Sequence, residues 1–256
     1  MSRGMYMGRV IVTISILLII GPTFAAQQKL AENQSVADVL TGLQSKDWVE
    51  RAKAYEQLAG DSIAMRRQEV KAALIDLLDR ENHLPLSKVV KPEDGEAYGE
   101  YVSSLIGSVM SIVDWQNPRQ LCVLAHSPFD PDSNLATRLV LAGQPILPCL
   151  MQMTESKSFG DRYIVSELLV QIGAKNSNLS FGTAQKIRDV TIASLHDSNE
   201  MIRTGTVHAL TRFGGEDMIP ALKEVAETDP APEVNGYSIR KMAIGAIAAI
   251  QNRSHK

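Results

Sequence analysis

Between His196 and Asp229 the apolar residues recur at helical rather than strand spacing. Ile202, Thr206, Val207, Ala209, Leu210 and Phe213 fall on one face. Asp197, Ser198 and Asn199 precede them as a helix-start signal, because short polar side chains accept orphan backbone N–H groups. Gly214 and Gly215 are the expected stop, with glycine supplying the left-handed conformation. A second apolar stripe follows at Ile219, Leu222, Val225 and Ala226. Glu216 and Asp217 suit the dipole at its start, and Pro220 is tolerated in its first turn. Two short amphipathic helices cannot bury their faces alone, so neighbouring units must stack on them.

The same plan recurs along the chain. Val49, Ala52, Tyr55 and Leu58 form one face that Gly60 ends. Residues 63–78 then predict a partner helix with Val70, Leu74, Leu77 and Leu78 inward. Residues 83–98 carry two prolines and exceed the ~2–8 residues usual between bundled helices, so they predict a surface insertion. Further helices are predicted at 98–114, 117–125, 134–142, 146–154, 160–172, 180–195 and 238–251. Gly173 is expected to stop the 160–172 helix, with a linker at 174–178. The first helices of the units share an Arg, a smaller residue three later and Leu or Ile seven later. The sets are Arg51/Ala54/Leu58, Arg162/Val165/Leu169, Arg203/Thr206/Leu210 and Arg240/Ala243/Ile247. The arginines are separated by 111, 41 and 37 residues, and 111 is three periods of 37, which leaves room for two degenerate units.

This period, the Asp197-to-Arg203 spacing and the Gly215-x-x-x-Ile219-Pro220-x-Leu222 entry to the second helix resemble HEAT repeats, including the HEAT-like type of phycobilisome lyases. The resemblance covers about residues 46–251. It implies an all-α, right-handed α-α superhelix of about five to six helix pairs, with second helices lining a concave surface. It also implies that Asp and Arg of the first-helix turns bridge units, a pattern matched by Asp197 and Arg203 and, with altered spacing, by Asp47 and Arg51.

The first 25 residues read differently. Arg3 and Arg9 precede an apolar run from Val10 to Ile20, broken by Gly21 and Pro22. Thr23-Phe24-Ala25 then offers small residues at the −3 and −1 positions of a cleavage site. This is the pattern of a secretory signal peptide cut after Ala25, with a polar lead-in at 26–45 and a periplasmic or secreted product. Retention of the segment would instead make a membrane-anchored envelope adaptor. Cleavage removes two positive charges and moves the formal charge from −3 to −5. An acidic protein whose densest basic spot is Arg66-Arg67 with Lys71 is not expected to bind nucleic acid.

Little in the chain suggests chemistry. Cys122 and Cys149 each lie four residues after a proline (Pro118, Pro145). At equivalent positions of stacked helices they would stand about 10 Å apart, so two buried free thiols are expected rather than a bridge. Cys122 and His126 have the spacing of a helical metal pair, and Cys149 could approach in space, but no neighbour in sequence completes a zinc site. Asp130, Asp132 and Asn134 start like a calcium loop, yet Leu135 and Leu141 stand where Gly and Glu belong, and a helix start explains them better. His208 reads as a boundary histidine, and Glu93, Asp94, Glu96 and Glu100 as a solvated acidic run. No catalytic, cofactor-binding or metal-binding residue is therefore assigned. The expected function is an exported HEAT-like scaffold that binds another protein along its second helices, without catalysis of its own. The alternative from the resemblance is an enzyme or enzyme accessory of the HEAT-like lyase type.

Overall fold

The computed structural model describes residues 35–234 and 237–255. The signal peptide, its cleavage site and the first part of the lead-in lie outside the described residues. The described residues are helical and turn structure, with one isolated antiparallel bridge between Val234 and Tyr237. They form two compact units. One holds the described residues up to Leu77 together with Leu84–Leu105; the other holds Leu78–His83 and the described residues from Ile106 onward.

The first unit contains a helical stretch at 35–42, α1 (Trp48–Ala59), most of α2 (Gln68–Asn82), the short α3 (Leu86–Val89) and the N-terminal part of α4 (Gly95–Ile112). Asp47 caps α1, its Oδ1 accepting the Val49 N–H at 2.9 Å. Trp48, Tyr55, Tyr98 and Tyr101 form an aromatic cluster, with Trp48 edge-on to Tyr98 at 5.5 Å and Tyr55 to Tyr101 at 5.9 Å. The helix expected from Ile63 begins only at Gln68. Asp61 Oδ1 takes the Ile63 and Ala64 N–H groups, which tightens residues 64–66 into a 3-10 turn. Arg67 is then extended (φ −72°, ψ 139°), and Ile63 is left 72% exposed. The 83–98 connection is also more ordered than expected: it holds α3 and a 3-10 turn at Pro92–Asp94, and α4 starts at Gly95.

The second unit contains α5 (Pro118–Ala125), α6 (Asn134–Ala142), α7 (Leu147–Met153), α8 (Phe159–Lys175), α9 (Phe181–Leu195), α10 (Glu200–Phe213), α11 (Ile219–Thr228) and α12 (Ile239–Ser254). Side-chain caps open most of them: Asn117, Ser133, Ser158, Ser180, Asn199 and Ser238 each accept a first-turn N–H. Alternate helices stack. α6 packs on α8, α8 on α10 and α10 on α12, while α5 packs on α7 and α9 on α11. Val207, Leu210, Leu222, Val225, Ala243 and Ile250 are buried together between α10, α11 and α12. Each of these Val, Leu and Ile side chains removed from water contributes about 1.5–3 kcal/mol.

Three of the four arginines that set the sequence period share one job. Arg51, Arg162 and Arg203 each send Nη1 back to the carbonyl six residues earlier, at Ser45 (3.0 Å), Ser156 (3.0 Å) and Asp197 (2.9 Å). Arg162 and Arg203 also reach the loop ahead of a later helix, donating from Nε to Asp197 Oδ2 at 3.0 Å and to Asp229 Oδ2 at 2.7 Å. Arg203 adds a second bond, Nη2 to Asp229 Oδ1 at 3.3 Å. Arg240 differs because a longer loop precedes α12, and it donates to the Asp229 carbonyl at 2.8 Å.

Two glycine expectations need correction. Gly214 (φ −64°) and Gly215 (φ −96°) are not left-handed. Gly214 serves close approach instead, since a Cβ there would lie 2.7 Å from the Leu210 carbonyl. Gly143 is the described glycine with positive φ (64°), at the turn after α6. Gly173 does not end α8, which runs on to Lys175, where Asn176 caps it.

Candidate binding cleft

The residues from Ile164 to Ile172 in α8 are buried without a break, including Ser166, Glu167 and Gln171. A helix buried all round cannot keep its polar residues on a solvent face. Glu167 is therefore a residue only 4% exposed, its carboxyl carried on a core helix. It is directed at the neighbouring helix α10, where Gly205 has no side chain to meet it. A Cβ on Gly205 would lie 3.0 Å from Glu167 Oε1 and 2.8 Å from Tyr163 Cε2.

The close approach at Gly205 leaves a cleft of about 480 Å³ beside it. α8 supplies Tyr163 and Glu167; α10 supplies Glu200, Met201, Thr204, Gly205 and His208; α12 supplies Met242. Met201 is 61% exposed at the rim. The walls are thus thioether and aromatic, with the Glu167 carboxyl at the base and the Glu200 carboxyl, the Thr204 hydroxyl and the His208 imidazole alongside.

Among the described residues no hydrogen bond reaches the Glu167 carboxyl. Its environment disfavours the charged form. Burial first, then the negative fields of Asp132 and Asp130, push it up to about 7, against a smaller opposing pull from Arg212. Arg212 is itself paired with Asp132. The Tyr163 hydroxyl is raised too, by burial and then by Glu167, Asp130 and Asp132, and so stays protonated at neutral pH. The cleft therefore combines apolar walls, a negative field and a carboxyl that lacks a positive partner in contact. A ligand cation placed there would be desolvated against the Met201, Met242 and Tyr163 side chains and matched by the carboxylate.

A second cavity, of about 360 Å³, opens between α8, α9, α10 and the 216–218 turn. Its basic group is already engaged: Arg188 donates from Nη2 to the Asp217 carbonyl at 3.3 Å, and its Nε lies 3.4 Å from Asp217 Oδ2.

The residues weighed from the sequence are distributed as follows. His208 is exposed, as a boundary histidine should be, but it lines the cleft. Ser133 caps α6 and Asp130 Oδ1 accepts the Asp132 N–H at 2.8 Å, which is the helix start expected there. The expectation of free thiols is overturned: Cys122 and Cys149 are disulfide-bonded. The helices α5 and α7 pack on each other and bring the two Cα atoms to 5.5 Å, a separation a disulfide accepts and well inside the ~10 Å spacing of equivalent positions on stacked helices. Glu167 was missed. Its signal was present as one Glu inside the run Ile164-Val165-Ser166-Glu167-Leu168-Leu169-Val170, where every position is apolar or small except that one.

No protein-family model matches the chain, and no curated protein matches it. A solved crystal structure of an engineered protein is similar over 85% of this chain and 96% of its own, at 14% identity and a TM-score of 0.42.

Proposed function

We propose that this chain is an exported HEAT-like helical scaffold that binds another protein and performs no chemistry of its own. Its helix pairs would continue as an α-α superhelix, with the stacking of α6, α8, α10 and α12 as the local basis. The N-terminal pattern supports export with cleavage after Ala25. The Cys122–Cys149 bridge is in keeping with an oxidising compartment. Binding along the second helices remains part of this reading, but one observation carries recognition to the opposite set. It is the buried Glu167 carboxyl, facing an open cleft on the first helices without a hydrogen bond from the described residues. A Lys or Arg side chain from the partner fits there. Its stem would lie along Met201, Met242 and Tyr163, and its charge would meet Glu167. A cleft that sets the Glu167 and Glu200 carboxyls among thioether and aromatic side chains favours recognition of a cationic side chain over catalysis.

Photo-cross-linking tests the reading. A photoreactive residue at Met201 samples the cleft, and one at Phe181, 86% exposed on α9, samples the second helices. The expected result is a discrete adduct from Met201 in the native envelope that Glu167→Gln weakens, with a Lys or Arg in the cross-linked peptide. Adducts from Phe181 alone would move recognition to the second helices. No adduct from either position would refute the scaffold reading. The intact mass of the exported protein, starting at Ala26 or not, tests export against membrane anchoring.

A further inference from the structure

The end of α5 gathers more metal-binding chemistry than a structural disulfide requires. Cys122 and His126 lie one turn apart on α5, and Cys149 approaches from α7. Their ligand atoms all fall within 4.8 Å of one another. Met153 Sδ stands 3.8 Å from Cys149 Sγ, one turn further along α7. The His83 ring lies against the His126 ring at a centroid distance of 5.4 Å. The imidazoles are also held as metal-bound imidazoles are. His126 Nδ1 is 3.4 Å from Asp161 Oδ1, and Asp161 Oδ2 accepts from Ser156 Oγ at 2.6 Å. His83 Nδ1 is 2.6 Å from the Asp79 carbonyl. Carboxylates and carbonyls at Nδ1 orient a ring and leave Nε2 for a metal.

We infer that Cys122, Cys149 and His126 form a redox-gated site for a thiophilic metal ion of the zinc(II) type, closed in the disulfide state and open in the dithiol state. Two thiolates and an imidazole are the ligand set of three-ligand zinc sites, with the remaining position open. His83 stands beside that set. The thiolates cannot hold the metal while they are joined to each other, so bridge and metal exclude one another. Opening requires a dithiol reductant. One of its thiolates attacks Cys122 Sγ, the half-buried member of the pair, and Cys149 leaves as thiolate. The second reductant thiol then displaces Cys122. The reductant leaves as a cyclic disulfide, having supplied two electrons and two protons. Metal binding to the resulting dithiol releases those two protons. Closing reverses the sequence with an oxidised dithiol as acceptor, and the metal is set free.

Cobalt(II) and zinc(II) titrations of the full mature chain test this. The chain is reduced with a dithiol and exchanged anaerobically into reductant-free buffer, and far-UV circular dichroism follows its helix content. The expected result is one equivalent of cobalt(II) bound with the intense visible bands of tetrahedral thiolate coordination, displaced by zinc(II). The oxidised chain should bind none. His126→Ala, which keeps both cysteines and the bridge, should weaken binding by about ten-fold or more in the reduced state. Cys149→Ser should abolish the thiolate bands. The inference is overturned if the reduced, helical chain binds no metal, if His126→Ala binds as tightly as the parent, or if reduction alone collapses the helical signal and zinc(II) does not restore it.

Discussion

Replacing Glu167 with Gln removes a charge that the fold holds at a loss. The residue is 4% exposed, and burial with the fields of Asp132 and Asp130 moves its carboxyl from an ordinary 4.5 to about 7. In the unfolded chain it ionises near the ordinary value. Between these two limits the folded state binds a proton that the unfolded state has lost. Stability therefore falls as pH rises through this window, and the full penalty is present above pH 7. The displacement corresponds to about 3 kcal/mol, reduced somewhat by the opening of the cleft to water. Gln keeps the shape and carries no charge at any pH. At pH 8 it should stabilise the chain by about 2–3 kcal/mol, or on the order of 5–10 °C in melting temperature for a chain of this size. At pH 5 the difference should fall below about 1 kcal/mol. Urea unfolding of parent and variant at both pH values measures this directly. A difference that does not change with pH would refute the reasoning, as would a Gln variant less stable than the parent at pH 8.

Other outcomes follow from the same contacts. Arg203→Ala should cost about 3–5 kcal/mol, because it strands the buried Asp229 carboxylate; double-mutant unfolding with Asp229→Ala should show strong coupling. Burial raises Asp229, but the Arg203 bond, the Ala231 N–H and the field of Arg240 outweigh it and hold the carboxyl below 3.8. The stability from this pair is thus present above 3.8 and lost as pH falls through the lowered value, so the acid limb of the parent should be steeper than that of the Arg203→Ala chain. Gly143→Ala should cost about 2 kcal/mol or more by urea titration, since its φ of 64° and the 2.7 Å approach of Asn176 Oδ1 both oppose a Cβ. Reducing the Cys122–Cys149 bridge, which spans 27 residues, should cost about 3–4 kcal/mol in a metal-free buffer.

Much of this fold was legible in local pattern. The helix starts at Asn117, Ser133, Ser158, Ser180 and Asn199 are written as single capping side chains, and the structure uses each of them. The arginine phase was legible because three of those arginines answer the same local geometry, the carbonyl six residues before. Breaks inside apolar patterns were less legible. Asp61 draws two amides into a tight turn and delays α2 to Gln68, which periodicity alone cannot register. Gly214 and Gly143 look alike in sequence, yet one serves close approach and the other positive φ.

The order and type of the helices, and the residues that close each turn, were determined by the sequence itself, because 3.6-residue periodicity and capping act within a few positions. The sites were decided by tertiary structure. Cys122 met Cys149 because the packing of α5 on α7 brings their Cα atoms to 5.5 Å, which spacing along the chain does not show. Glu167 became a perturbed carboxyl because α8 is covered on all sides and Gly205 on α10 leaves room for a cleft. Burial and electric field depend on what a neighbouring helix brings, and that is information no single stretch of chain contains.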